Sequence, residues 1–454
     1  MEAIKPAMHE PFCVDLKHAL IWVARALDYV GMDDLHHNHR VAYTAYECAK
    51  LLGWEKKKQE FSFLAGLIHD CGVSQTAEHS HLISDMIPSE SEQHCRVGFQ
   101  ALEQCDMLAQ FANIILYHHT DWLHLQHAPI SPYEKDVAAL IYLADRLDFL
   151  RAKYLSHAQQ DLITLYKKAI SEELYFYRGT LFCPTFVDAL VTLIHRDGFW
   201  FAMDSTHIET VPFSFSQLKW LHQDLSISAL IQLGRFIAGI VDAKSPFTYQ
   251  HSLKVAELSE YLALQMGLPK STSKLIYVAG LVHDIGKLRT PDSILHKEGP
   301  LSEIEYIHIK RHTVDTAVAL NMIFPHSNIA QWAANHHERL DGSGYPYNKT
   351  AEQLDLPSRI IAIADVFQAL SQNRPYRSKL SPQEITDIMW PMVEQNQLDG
   401  DVYAKLDQNL NHCYAMSTAL SLKASEVKTL VDAESSLAYS QSACIEEEPS
   451  PKMP

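Results

Sequence analysis

Apolar residues recur at three- and four-residue intervals along nearly the whole chain, the period of one buried helix face, and few stretches alternate as a half-buried strand would. Residues 14 to 30, VDLKHALIWVARALDYV, show the pattern and predict an amphipathic helix ending near Gly31. The pattern as a whole predicts an all-α protein. Two apolar runs close on an adjacent His and Asp: FSFLAGLIHDCGV, ending in His69-Asp70 and three more residues, and VAGLVHDIGKL, with His283-Asp284. Burying a carboxylate and an imidazole without partners costs several kcal/mol. A cation is the economical partner.

The recurrence extends further. Aligning HNHRVA (37 to 42) with HSLKVA (251 to 256) places His37 over His251 and His69 over His283, thirty-two residues apart in both cases. His94 then falls over His312, and each is followed twenty-four residues later by a double histidine, His118-His119 and His336-His337. Asp145 matches Asp365 after intervals that differ by two residues. Repetition at ligand-type positions predicts two copies of one helical domain. We place the first in residues 1–217, with a connector, and the second in 218–415. The stretch DGFWFAMDSTHIETVPFSFS between them reads as a short strand pair or a connector, and the apolar segment from Leu218 to Val241 opens the second copy. The acidic, proline-marked end, 416–454, reads as a weakly structured tail.

The 454 residues carry a formal net charge of −17, which argues against a nucleic-acid polymer or an anionic membrane surface as partner. An anionic substrate would need local cations. Eight cysteines without a C-x-x-C spacing read as reduced thiols, and no apolar run approaches the ~20 residues that span a bilayer. A cytoplasmic protein is expected, one compatible with a homodimer or a signalling-protein partner.

In the second half, five imidazoles (His251, His283, His312, His336, His337) and two carboxylates (Asp284, Asp365) suffice for two six-coordinate ions if water and substrate fill the remaining positions. Adjacent helical residues point about 100° apart, so His283-Asp284 can share one ion or straddle two, with Asp284 suited to bridge them. Nitrogen and oxygen donors without thiolate favour iron, manganese or a similar metal. Two such ions bring roughly four positive charges against two carboxylates, leaving a net positive site for hydroxide and a phosphate diester.

HDIGK (283 to 287) and HHERLDGSGYP (336 to 346) match HDxGK and HHExxDGxGYP in full, and residues from about 220 to 415 resemble the HD-GYP family, a branch of the HD superfamily of metal-dependent phosphohydrolases. The resemblance implies hydrolysis of a cyclic dinucleotide at a centre of two divalent ions. One would be held by His251, His283, Asp284 and Asp365, the other by Asp284, His312, His336 and His337. Asp284 and Lys287 would be catalytic, Lys287 neutralising the attacked phosphate. Asp341, Gly344, Tyr345 and Pro346 would shape the pocket beside Gly342, and Arg374 and Arg377 would meet the second phosphate or a base. Some family members place a Glu four residues before the first His to support a third ion. Here that position is Phe247, so two ions are expected.

The first half keeps every ligand type, His37, His69, Asp70, His94, His118, His119 and Asp145, with Asp33 four residues before His37. It lacks the lysine, replaced by Val73, and the GYP loop. It could hold metal without hydrolysing a cyclic dinucleotide. The tandem layout is similar to bacterial phosphodiesterases of cyclic GMP-AMP, with cyclic di-GMP as the alternative substrate. Hydrolysis of another phosphorylated nucleotide and a non-catalytic sensor or scaffold are the competing readings.

Overall fold

The computed structural model describes residues 12–14, 16–28, 36–73, 85–88, 91–155, 160–222, 224–244, 250–297, 299–325, 327–373 and 378–419. Asp33, Phe247, Arg374, Arg377 and the tail from 420 to 454 lie outside them. The expected helical repeat is built. Helices Leu16–Asp28, His37–Leu51, Lys56–Ile68, Ser91–Glu103, Ala112–Tyr117 and Pro132–Leu155 of the first half recur as Ile227–Lys244, His251–Gln265, Lys270–Val282, Glu303–Ile323, Ile329–Ala334 and Leu356–Ser371 of the second. Helices Pro382–Glu394, Gly400–Gln408 and Leu410–Thr418 complete the second half against Leu356–Ser371. The helical pattern thus runs past residue 415.

Two local devices hold each copy in register. The residue before the ligand helix His37–Leu51 is His36 at φ 76, and before His251–Gln265 it is Gln250 at φ 72. A left-handed backbone on a side-chain-bearing residue costs of order 1 kcal/mol, tolerated where the surroundings fix it. It turns the chain sharply so that the helix begins on the ligand itself. The second device is a glycine contact: a Cβ on Gly66 would stand 2.6 Å from Ala42 Cα, and one on Gly280 would stand 2.8 Å from Ala256 Cα. Only glycine lets the HD-bearing helix lie that close to the first ligand helix.

The halves pack reciprocally. Leu16–Asp28 of the first lies against Glu303–Ile323 of the second, and Ile227–Lys244 lies against Ser91–Glu103. Just before these opening helices, Phe12–Cys13 and Asp224–Leu225 pair antiparallel, Phe12 opposite Leu225 and Cys13 opposite Asp224. Corresponding segments therefore meet each other, as in a two-fold dimer made within one chain. One buried apolar cluster runs through both halves.

Residues 197–216 form the connector rather than a strand pair. They make short helical turns at Asp197–Phe201, Ser205–Ile208 and Val211–Ser214, and no strand is found there among the described residues. Asp204 caps one turn through Thr206 N–H at 2.9 Å, while Phe199 stacks on Tyr43 and Phe215 packs on Tyr46 and Phe63. The aromatic residues are spent on covering the first half. Glu60 fastens the exit by accepting the backbone N–H groups of Ser216, Gln217 and Leu218. After Leu218 the long helix starts at Ile227, later than the apolar pattern alone suggested.

Gly280→Ala tests the glycine contact. In an unpacked helix the change would gain about 1 kcal/mol of propensity. Against a backbone atom at 2.8 Å the overpacking penalty of about 1–3 kcal/mol wins. Urea unfolding should show a net loss of stability, partly recovered by Ala256→Gly.

Candidate metal centre

His283 and Asp284 sit at the C-terminal end of Lys270–Val282, where the helix gives way to a tighter 3₁₀ turn, Ile285–Arg289. Thr316 anchors that turn: its hydroxyl donates to the His283 carbonyl and accepts from Gly286 N–H, both at 3.1 Å. Three ring orientations are fixed the same way. The Nδ1–H groups of His283, His312 and His336 donate to the carbonyls three residues back, Gly280 at 2.8 Å, Ile309 at 2.5 Å and Ala333 at 2.6 Å. Each ring is left with Nε2 aimed inward.

The inward atoms converge around two carboxylates. Oδ2 of Asp284 is 3.3 Å from His283 Nε2 and 3.7 Å from His251 Nε2, whereas Oδ1 is 3.5 Å from His312 Nε2 and 3.6 Å from His336 Nε2. The two oxygens therefore serve two separate groups of imidazoles. Asp365 also straddles: Oδ1 is 3.3 Å from His251, and Oδ2 is 3.8 Å from Nδ1 of His337. His251, His283 and Asp365 form one cluster that could hold an ion, and His312, His336 and His337 form another. The structure thus brings together all seven residues expected from the sequence.

The donors fit a metal. Every one of these groups is buried or half-buried, and His283 Nε2 and Asp284 Oδ1 are enclosed without a hydrogen-bond partner. Buried polar atoms left in that state cost about 1–3 kcal/mol each. Burial pushes His312 down to about 4 and lowers His251, His336 and His337 as well, so those imidazoles are neutral at pH 7. Burial alone would raise the carboxyls and lower His283, but their mutual attraction reverses both, with Lys287 adding to it at Asp284. Four neutral rings beside ionised carboxylates are the donor state a divalent ion takes, and an ion on His283 would displace the proton that its carboxylates favour.

Lys287 stands at the edge, its Nζ 2.5 Å from Asp284 Oδ2 and its side chain partly open. Tyr345 lies across the mouth, its ring 4.8 Å from that of His337. Gly344 presses on the backbone of Glu338 and Arg339, where a Cβ would fall 2.4 Å from Arg339 N. Asp341 is exposed and accepts from Ser343 N–H and Oγ–H, which makes it a builder of the loop. The residue that ties the loop to the centre is Glu338, buried beside His337 and accepting from Tyr347 and Lys349 N–H. Glu338 stood inside the HHE motif and went unassigned. Asp242 was missed entirely: buried on the opening helix, it accepts from Ser252 N–H and Oγ–H, next to His251. No local motif marks it.

The first half repeats the geometry. His37 Nε2 is 3.3 Å from Asp145 and 3.7 Å from Asp70, His69 is 3.4 Å from Asp70, His94 and His118 are 3.7 and 3.8 Å from Oδ1 of Asp70, and His119 is 3.8 Å from Asp145. None of the six differs by more than 0.2 Å from its counterpart in the second half. The surroundings differ. Val73 is buried where Lys287 stands, Arg146 pairs with Asp145 at 2.9 Å, and the His119 side chain is 4% exposed against 20% for His337. At the double-histidine end the first centre is the more closed of the two, although Asp70 at 7% is slightly more exposed than Asp284 at 3%. A cavity of about 330 Å³ in the first half, lined by Arg40, Arg151 and Trp200, lies apart from the open centre, and we place the chemistry at the donors rather than there.

Two family models, each described as HD domain, match residues 35–150 and 235–402. The 3′3′-cGAMP-specific phosphodiesterase 1 of Vibrio cholerae is 44% identical over 406 residues, 89% of this chain and 94% of its own. A cyclic di-GMP phosphodiesterase of Pseudomonas aeruginosa is 32% identical over 210 residues, 46% of this chain and 48% of its own. Among solved structures, that of a cyclic GMP-AMP-specific phosphodiesterase from V. cholerae superposes with a TM-score of 0.59 at 22% identity, covering 88% of this chain and 98% of that one. That likeness bears on the fold.

Two measurements test the centre. Ions that bind only the folded state stabilise it by about 4 kcal/mol at a thousand times Kd, so chelation should lower the unfolding midpoint markedly, and His283→Ala should remove the second half's share of that response, the remainder being lost on adding His69→Ala. Asp242 supplies a pH test. Burial raises its carboxyl from 3.8 to about 7. Between those values the folded chain keeps a proton that the unfolded chain releases, so stability falls as pH rises, by up to about 1.4 kcal/mol per unit. Denaturant titrations of chelated protein at pH 5 and pH 7 should show a smaller fall for Asp242→Asn.

Proposed function

We propose that this chain, which belongs to the HD-domain family in both of its halves, is a metal-dependent phosphodiesterase that opens 3′3′-cyclic GMP-AMP to the linear dinucleotide. The observation that carries the substrate is the 44% identity to a phosphodiesterase named for it, over 94% of that relative's length. Cyclic di-GMP is the second reading, favoured by the named activity of the relative from P. aeruginosa. We assign catalysis to residues 218–415 and a structural or regulatory role to 1–217. No helix among the described residues is long and apolar enough to cross a membrane. The six described free cysteines are all buried, and we place the protein in the cytoplasm, where they stay thiols.

Two divalent ions of the iron or manganese class would be held in the second half, one by His251, His283, Asp284 and Asp365 and the other by Asp284, His312, His336 and His337. When bound, such ions polarise phosphoryl oxygens and lower the pKa of water, giving a hydroxide at neutral pH. The chain's own residues do the rest. Asp284 divides its oxygens between the two groups of imidazoles, which fixes their separation. The carbonyls of Gly280, Ile309 and Ala333 hold three rings in the tautomer that presents Nε2. Lys287 is within reach of the open edge, where its ammonium offsets the charge of the attacked phosphate. Tyr345 stands beside His337 at the rim, where its ring would shield one side of a bound phosphate from bulk water. For the first half we infer a closed centre at His37, His69, Asp70, His94, His118, His119 and Asp145 that binds metal and turns over no cyclic dinucleotide.

Chromatography of products from metal-loaded protein tests both levels. Cyclic GMP-AMP should give a linear dinucleotide. Asp284→Ala should lower kcat by at least about a thousandfold, Lys287→Ala by about 10–100-fold, and His69→Ala by less than about threefold. Absence of turnover on both cyclic GMP-AMP and cyclic di-GMP, with metal content confirmed, would refute the assignment.

A further inference from the structure

Arg374 and Arg377 were the residues expected to meet the far side of the substrate, and the structure offers a different wall. It lies on the first two turns of Glu303–Ile323, the helix that also carries His312. Tyr306 is 45% exposed, a large share for an aromatic ring beside a buried centre. Its ring meets that of Tyr345 edge to face, with centroids 6.1 Å apart at 82°. Tyr345 in turn lies over His337 at 4.8 Å and 34°. Three rings therefore form a continuous strip from a metal-ligand position to the surface. Lys310 is one turn further along the helix, at the spacing that puts two side chains on one face. Its ammonium stands 5.1 Å from the centre of the Tyr306 ring and has no carboxylate partner among the described residues.

We propose that Tyr306 and Lys310 are a substrate-binding wall for the part of the cyclic dinucleotide that is not being cleaved, Tyr306 stacking a purine and Lys310 receiving the second phosphate. The inference rests on the function proposed above. A 3′,5′-linked cyclic dinucleotide has two phosphates and two flat bases, so fixing one phosphate at the metal centre leaves a second phosphate and its neighbouring base to be held at the rim. A purine gains most from an exposed, partly immobilised ring, because stacking on an aromatic side chain is worth about 1–3 kcal/mol per base. The edge contact with Tyr345 immobilises Tyr306 without covering it. A half-buried ammonium held over a ring can exchange that weak cation–π contact for a phosphate at little cost. The strip has no counterpart in the closed first half among the described residues, where the loop carrying Tyr345 is absent.

The test compares two diesters on metal-loaded protein. Bis(4-nitrophenyl) phosphate has one phosphate and no purine, whereas cyclic GMP-AMP has both features the wall would hold. Tyr306→Ala and Lys310→Ala should each raise KM for cyclic GMP-AMP tenfold or more. Their loss of kcat/KM on the cyclic substrate should exceed their loss on the small diester at least tenfold. Tyr306→Phe, which keeps the ring, should stay within threefold of wild type. Lys310→Arg should recover most of the affinity. Equal losses on the two diesters would mean that the residues only support the helix, and would overturn the proposal, as would an unchanged KM for cyclic GMP-AMP in both alanine variants. A wild-type chain that cleaves bis(4-nitrophenyl) phosphate and no cyclic dinucleotide would instead refute the substrate reading, and the wall with it.

Discussion

Everything in the second half depends on keeping five imidazoles and two carboxylates together out of water. Such a cluster opposes folding when empty, since each enclosed donor or acceptor without a partner costs free energy and two ionised carboxylates repel. The fold contains this by spending one nitrogen of three rings on carbonyls three residues back, so that only the inward nitrogens need a cation. Asp284 does the remaining work by pointing its oxygens at different partners. The same residue is thus a ligand, a spacer and the charge that keeps His283 basic.

The duplicated centre separates ligand geometry from reactivity. Six donor distances match closely between the halves, yet the residues just outside the donors differ in charge and access. In the second half a lysine on the bridging carboxylate leaves the edge open to an anion. In the first, a buried valine takes the lysine's place and Arg146 is committed to Asp145. On the reading proposed above, the first centre contributes binding energy to the fold and admits no diester. Reactivity is set by what surrounds the donors.

Most of this was legible in the sequence because its causes are periodic or motif-like. Helical spacing announced the fold class, and the equal His37–His69 and His251–His283 intervals announced the repeat. The donors could be assigned because His283-Asp284 and His336-His337 stand in two motifs that match the family pattern in full, and the repeat marks His251, His312 and Asp365 around them. Asp242 was not legible: its role is a tertiary contact with Ser252, and nothing about an acid on an apolar helix face reveals which backbone N–H it will meet. The sequence leaves the connector open between a strand pair and an irregular link, and the link is what forms. Its β-branched and aromatic residues suggested strands, but Asp204 caps and Pro212 favour helical turns, and the aromatic rings bury themselves on Tyr43 and Tyr46. Asp341, expected at the pocket from its motif, accepts from Ser343 through Oδ1 within its own loop, a contact that the motif alone does not reveal.

The pairing of the halves bears on why a closed centre is kept at all. The helix carrying His312 is packed on one side by Leu16–Asp28 of the other half, and Ile227–Lys244, which carries Asp242, packs against Ser91–Glu103, which carries His94. The helices that carry His312 and His94 are therefore each braced by the half to which they do not belong. A shift of about 1 Å in such a helix would part its histidine from the shared carboxylate, and a misplacement of that size can cost 10²-fold in rate. Whatever stabilises the closed centre thereby also steadies the helix on which the open centre depends. Loss of one ligand in the first half therefore shows first in the stability of the shared interface, before any shift large enough to reach the rate at the open centre.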